Sequence, residues 1–129
     1  MQYAYTILYV ENVTSSIEFY EAAFGFERKF ITPENDYGEL LTGATIIAFA
    51  SLSLAKSNFD TSFQTAQSDQ PPFGIELAFT TTEIEKDLDR ALQAGAKLIG
   101  ELTAKPWGQK VAYVRDSNGF LIEICTPMS

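Results

Sequence analysis

One order of elements, written twice, constrains this chain most. Residues 3–10 are rich in aromatic and β-branched side chains and read as a strand. Ser15 and Glu18 then form an S-x-x-E capping box, and Ile17, Tyr20 and Phe24 recur at i, i+3 and i+7 on one helical stripe. Gly25 stops that helix, and strands follow at about 27–31, 37–41 and 45–51, the last two joined by a turn at Thr42-Gly43. The second half repeats the order. A strand at 74–80 leads to a T-x-x-E box of Thr82 and Glu85, then to a stripe of Leu88, Ala91 and Leu92 with Gly95 as its stop. Strands at 97–102, 109–115 and 120–126 complete it, and Asn118-Gly119 is a strong hairpin turn because both residues tolerate positive φ. The helix stops Gly25 and Gly95 share one sequence offset with the pairs Tyr37-Gly38 and Trp107-Gly108.

Each half is roughly 55 residues, too short to bury a generous core alone. Pairing the halves solves that problem. The expected class is α+β: two tandem βαβββ modules pairing into a curved, cup-like mixed β-sheet with the helices outside. Residues 1–129 then form one domain, with module 1 at about 1–56, a polar linker at about 57–72 and module 2 at about 73–129.

Composition removes several function classes. The formal charge is −8, which repels phosphate backbones, so no nucleic-acid partner is expected. The same charge serves solubility, or draws a cationic ligand to an acidic cleft. No apolar run approaches the roughly 20 residues of a membrane span, and the start lacks a signal-peptide pattern. Cys125 is the only cysteine, so no intrachain disulfide forms. These features point to a soluble, cytoplasmic protein. The chain has no histidine, which rules out a Ser-His-Asp triad, and it carries neither a P-loop nor a G-x-G-x-x-G motif.

Two strings carry a family resemblance. One is the opening from Tyr5 through Val13 followed by Ser16-Ile-Glu-Phe-Tyr-Glu-Ala-Ala-Phe-Gly-Phe. The other is the ending Val111-Ala-Tyr-Val-Arg-Asp-Ser-Asn-Gly-Phe-Leu-Ile-Glu-Ile. Together they resemble the vicinal oxygen chelate superfamily of glyoxalase I, bleomycin-resistance proteins and extradiol dioxygenases. The resemblance covers nearly the whole chain and implies a cavity that takes a small-molecule ligand, often in a homodimer. Glyoxalase-like members hold a divalent metal with His, Glu, His and Glu, one on each of four strands. Those positions fall here on Tyr5, on Ile47 or Ala48, on Glu76 and on Glu123. Only Glu123 is unchanged. Such metals are commonly held by imidazole and carboxylate together. The expectation is therefore no tight cofactor, with Glu76 and Glu123 left as a weak site for Mg²⁺, Mn²⁺ or Ca²⁺.

If Glu76 and Glu123 both face the cavity, their charges repel and desolvation raises at least one pKa. A bound cation, a shared proton or hydrogen bonds to neighbours would each satisfy them. A proton-sharing pair can act as a catalytic general base, whereas a glutamate bonded to a tyrosine does no chemistry. Strand alternation puts Tyr5, Ile7 and Tyr9 on one face, and the same count gives Ile47 and Phe49 on the fourth strand. With Trp107 and Tyr113 these form the expected ligand-binding lining, suited to a flat apolar or cationic molecule. Two functions stay open. One is metal-free sequestration in the manner of bleomycin-resistance proteins. The other is a lyase, isomerase or dioxygenase of the glyoxalase type that uses a weak metal or the carboxylate pair.

Overall fold

A computed structural model describes residues 1–128 and divides the chain into two compact units, Met1–Thr65 and Ala66 onward. The first runs β1 (Tyr5–Val10), α1 (Val13–Phe24), β2 (Glu27–Ile31), β3 (Tyr37–Leu41), β4 (Ile46–Ser51) and a short α2 (Leu52–Lys56). The second runs β5 (Glu76–Thr80), α3 (Ile84–Gln93), β6 (Lys97–Ala104), β7 (Lys110–Arg115) and β8 (Leu121–Cys125). Each unit holds one four-stranded mixed sheet, ordered β1-β4-β3-β2 in the first and β5-β8-β7-β6 in the second. In both, the strand before the helix pairs in parallel with the last strand and the remaining pairs are antiparallel. The twice-written α+β βαβββ order read from the sequence is thus the observed topology.

The helix starts differ from expectation. Asn12, with extended φ and ψ, caps α1 by accepting a 2.9 Å hydrogen bond from the Ser15 backbone N–H, so Ser15 lies inside the first turn. In α3 the capping position is Glu83, whose side chain makes no cap bond; Thr81 instead accepts from the Glu83 N–H and donates to the Asp87 carboxylate. Glu85, expected in a capping box, pairs with Lys110 at 2.8 Å and ties the start of α3 to β7. Gly25 ends α1 as expected, in the left-handed conformation with its N–H on the Glu21 carbonyl. The turn at Asn118-Gly119 also differs. Only Gly119 has positive φ, and its N–H bonds the Asp116 carbonyl, while the buried Asp116 carboxylate accepts from the N–H groups of Asn118 and Phe120.

In the first unit one sheet face packs under α1. Val13, Ile17, Tyr20 and Ala23 are buried on the helix, against Leu8, Leu40, Ile47 and Phe49 on the strands. The Tyr20 and Phe49 rings meet edge to face at 5.0 Å. Burying one such ring stabilises by about 1.5–3 kcal/mol. Gly38 lets α1 come close, because a Cβ there would overlap the Ile17 Cδ1. Its supposed counterpart Gly108 has open space around it and sits at φ 95° in the turn before β7. The segment after α2 is more than a linker: Phe63 packs edge-on against Tyr9 at 4.9 Å. In the second unit Ile84, Leu88 and Ala91 of α3 are buried, as are Ala112, Val114, Ile122 and Ile124 on β7 and β8. Among the described residues no helix is long and apolar enough to cross a membrane.

Candidate functional site

Register decides which side chains share a face, because paired residues point the same way and neighbours along a strand alternate. In the first unit Thr6 pairs Ile47 and Leu8 pairs Phe49, whereas Tyr5, Ile7 and Tyr9 pair Ile46, Ala48 and Ala50. Ile47 and Phe49 therefore lie on the α1 side, in the core, and not with Tyr5, Ile7 and Tyr9 as the sequence count had it. Ala48 occupies the row that Glu123 occupies in the second unit: Ile7, Ala48 and Glu39 stand in line there, as Ala78, Glu123 and Tyr113 do here. On the face away from α1, Tyr5 and Ile7 are each 41% exposed, and Tyr9 is covered by Phe63.

The second unit brings Glu76, Glu123 and Tyr113 together. Glu76 on β5 and Glu123 on β8 lie on one face, since Glu76 pairs Leu121, and Leu121 and Glu123 are two residues apart on β8. The Tyr113 hydroxyl on β7 donates to Glu123 Oε1 at 2.9 Å. The Glu76 carboxyl is raised above the ordinary carboxylate value by partial burial, then by its hydrogen bond to Glu123 and the charge there. The bond to Glu123 and burial push the Tyr113 phenol up to about 12. Burial, and then Glu123, push the Cys125 thiol up to about 11, which leaves it protonated and unreactive at neutral pH. The constellation is a pair of coupled carboxyls flanked by two neutral hydrogen-bond donors. Among the described residues neither Glu76 nor Glu123 forms an ion pair.

The first unit carries a second tyrosine–carboxylate pair that the sequence reading missed. The Tyr37 hydroxyl donates to Glu39 Oε2 at 2.7 Å, and Lys29 Nζ lies 3.4 Å from Oε1 of that buried glutamate. Burial, Glu39 and Tyr5 together hold the Tyr37 phenol above its usual value. Alternation on β3 carried the signal, because Tyr37 and Glu39 are i and i+2. The offset that sets Tyr37-Gly38 against Trp107-Gly108 carries Glu39 onto Gln109, but register matches Glu39 with Tyr113. The cause is unequal irregularity: β6 departs from its register between Ile99 and Thr103, and β2 between Arg28 and Phe30.

The divalent metal implied by the resemblance does not fit this donor set. The second unit offers two carboxylates, with Tyr113 and Cys125 beside them holding their protons, and Ala48 carries no donor at all. Among the described residues no group of three or more His, Cys, Asp or Glu side chains is placed to hold a metal ion.

The pair has a measurable pH signature. A carboxyl whose pKa is raised on folding holds its proton in the native state where the unfolded chain has lost it. Stability is then fully present below the ordinary carboxylate value and is lost as pH rises through the raised one. Glu76→Gln removes that loss. Its urea midpoint should exceed the wild-type midpoint by a margin that grows from about pH 4 to about pH 8 and shrinks in salt. A constant margin across that range would show that Glu76 and Glu123 are uncoupled.

Comparison with known proteins gives the following. A family model described as the Glyoxalase/Bleomycin resistance protein/Dioxygenase superfamily matches residues 2–124. A glyoxalase-related enzyme from Fulvimarina pelagi superposes with a TM-score of 0.83 at 22% identity, covering 98% of this chain and 88% of that one. TioX from Micromonospora sp. ML1 gives 0.73 at 19% identity, covering 98% of each chain. A glyoxalase/bleomycin resistance protein/dioxygenase from Nocardioides gives 0.72 at 16%, covering 100% of this chain and 85% of that one. At these identities the likeness is one of fold. No curated protein matches the sequence.

Proposed function

We propose a function from one premise: the chain belongs to the Glyoxalase/Bleomycin resistance protein/Dioxygenase superfamily. Within it, the protein binds and sequesters a small aromatic cation, without a metal, at the carboxylate-bearing face of its second unit. The observation that carries this reading is the Glu76–Glu123 pair, two carboxyls in hydrogen-bond contact with no basic side chain among the described residues to neutralise the charge they carry when ionised. Two unit charges about 4 Å apart at an effective dielectric near 20 interact by about 4 kcal/mol, so a bound monocation relieves a repulsion that water screens only in part. Tyr113 stays protonated and fixes Glu123 by donating to it. The net charge of −8 steers cations toward the protein. Trp107 and Tyr113 supply rings for stacking.

The raised Glu76 carboxyl favours a second reading. A glutamate whose carboxyl is raised by burial and by a neighbouring carboxyl, beside one held by a phenol, is equipped to move a proton to or from a bound substrate. On that reading the protein is a lyase or isomerase and the pair is its acid–base couple.

Calorimetry with N-methylquinolinium, neutral quinoline and a quinoline carboxylate tests the binding reading. The cation should bind most tightly and equally well with and without a chelator. Glu76→Gln/Glu123→Gln should weaken it about tenfold to a hundredfold, or roughly 1.4–2.8 kcal/mol. Equal affinity for the carboxylate, or full affinity in the double variant, overturns sequestration. Substrate turnover that disappears in Glu123→Gln while binding persists establishes the acid–base reading instead. The homodimer belongs to the same proposal, and light scattering that returns the mass of a single chain overturns it.

A further inference from the structure

We propose that Gln109 is a positioning residue that holds the Trp107 indole as a stacking platform, at the far end of a hydrogen-bonded chain that leads to the carboxylate pair, so that the protein selects planar aromatic cations over aliphatic ones. The inference rests on the binding reading above and deepens it. Trp107 lies in the tight turn between β6 and β7, which is closed by the Lys105 N–H on the Gln109 carbonyl and the Gly108 N–H on the Lys105 carbonyl. Trp107 is 61% exposed. An exposed indole on a turn ordinarily moves among rotamers, yet here its Nε1–H donates to Gln109 Oε1 at 2.9 Å.

The other end of that amide donates from Nε2 to the Thr126 carbonyl, also at 2.9 Å. The orientation has one solution: turned over, the amide would set N–H against N–H at the indole and oxygen against oxygen at Thr126. Thr126 is itself fixed, since its hydroxyl accepts from the Lys110 N–H and its own N–H donates to the Lys110 carbonyl. Gln109 is therefore anchored just past the end of β8, three residues beyond Glu123. Cys125 lies between, touching both Glu123 and Gln109. A contiguous polar chain runs from the indole through Gln109 and Cys125 to Glu123 and Tyr113.

A ring that is held but not buried gains little for the fold, because most of its apolar surface stays in water. What it gains is a fixed stacking surface, which lowers the ordering cost when a flat ligand arrives. The carboxylates at the other end of the chain supply the charge, and the platform supplies the preference for a plane.

The chain has a single tryptophan, so its fluorescence reports this ring alone. In wild-type protein the anisotropy should decay only with overall tumbling. Gln109→Leu should add a fast local component and weaken N-methylquinolinium about tenfold, with a clearly smaller loss for tetramethylammonium, so that the ratio of the two affinities falls. Trp107→Leu, at an exposed position, should give the same selective loss and serves if Gln109→Leu fails to fold. A ring equally rigid in Gln109→Leu, or an unchanged ratio of aromatic to aliphatic affinity in either variant, overturns the assignment. Wild-type protein that binds neither cation sinks the binding reading and this one together. Wild-type protein that binds both cations equally well sinks the platform alone.

Discussion

Phe49→Ala is expected to lower the free energy of unfolding by about 3–5 kcal/mol, the range for deleting a buried aromatic ring. Phe49 is fully buried on β4, the strand held between β1 and β3, where it pairs with Leu8 on one side and Gly38 on the other. Its ring meets the buried Tyr20 edge-on, and Tyr20 in turn packs on Phe24 at 5.1 Å. Removing it leaves a cavity between α1 and the sheet. The space cannot close, because α1 already approaches β3 at Gly38 as nearly as a glycine allows. Set against the 5–15 kcal/mol typical of a domain, the loss is a large share of the total. Urea unfolding monitored by circular dichroism measures it. A cost below about 1 kcal/mol would place Phe49 on the ligand face, where the strand-alternation count had put it, and not in the core.

That variant also shows why part of the site was hidden from the sequence. Element order and strand limits were legible to within a few residues, because α1, β1 and β5 advertise their periods. On β4 the residues Ile47, Ala48, Phe49 and Ala50 are all buried, so the strand has no polar alternation to mark its two faces. Its parity is set by the register with β1, and a slip of one residue exchanges the faces. The helix caps failed for a more local reason. Asn12 and Ser15 are both good caps, and the choice rests on the backbone angles of one residue. Glu76 and Glu123 were legible because the resemblance aligned them, and Tyr113 because it lies on the strand that precedes Glu123. Gln109 joined them only in three dimensions, since its amide bonds a carbonyl on another strand. The short α2 is a single turn, too brief to display a helical period, and its cap is the last residue of β4, Ser51.

Gly119→Ala is expected to cost about 2–4 kcal/mol, from two sources that a control variant separates. The first is backbone strain: Gly119 sits at φ 98°, where an L side chain costs roughly 1–2 kcal/mol. The second is steric. A Cβ there would lie 2.8 Å from Arg115 Nη2 and 2.8 and 2.9 Å from the carbonyl carbon and oxygen of Gln67. Backbone atoms cannot swing aside as a side-chain tip can. Arg115 cannot yield cheaply either, because its guanidinium donates to the carbonyls of Gly119, Gln70 and Gln67 at 2.9, 2.6 and 2.9 Å. Each charge-assisted bond of that kind contributes about 1.5–3 kcal/mol. Gly43→Ala is the control, since φ is 101° there but nothing lies within 4 Å of the added carbon. Urea midpoints should show Gly43→Ala losing only the backbone part, and hydrogen exchange in Gly119→Ala should speed up at residues 67–70. Equal losses in the two variants would mean that the Arg115 clamp adds nothing. The turn joins β7 to β8, the strands that carry Tyr113 and Glu123, so Gly119→Ala should also weaken cation binding. Gly43→Ala, in the other unit's β3–β4 turn, should leave it unchanged.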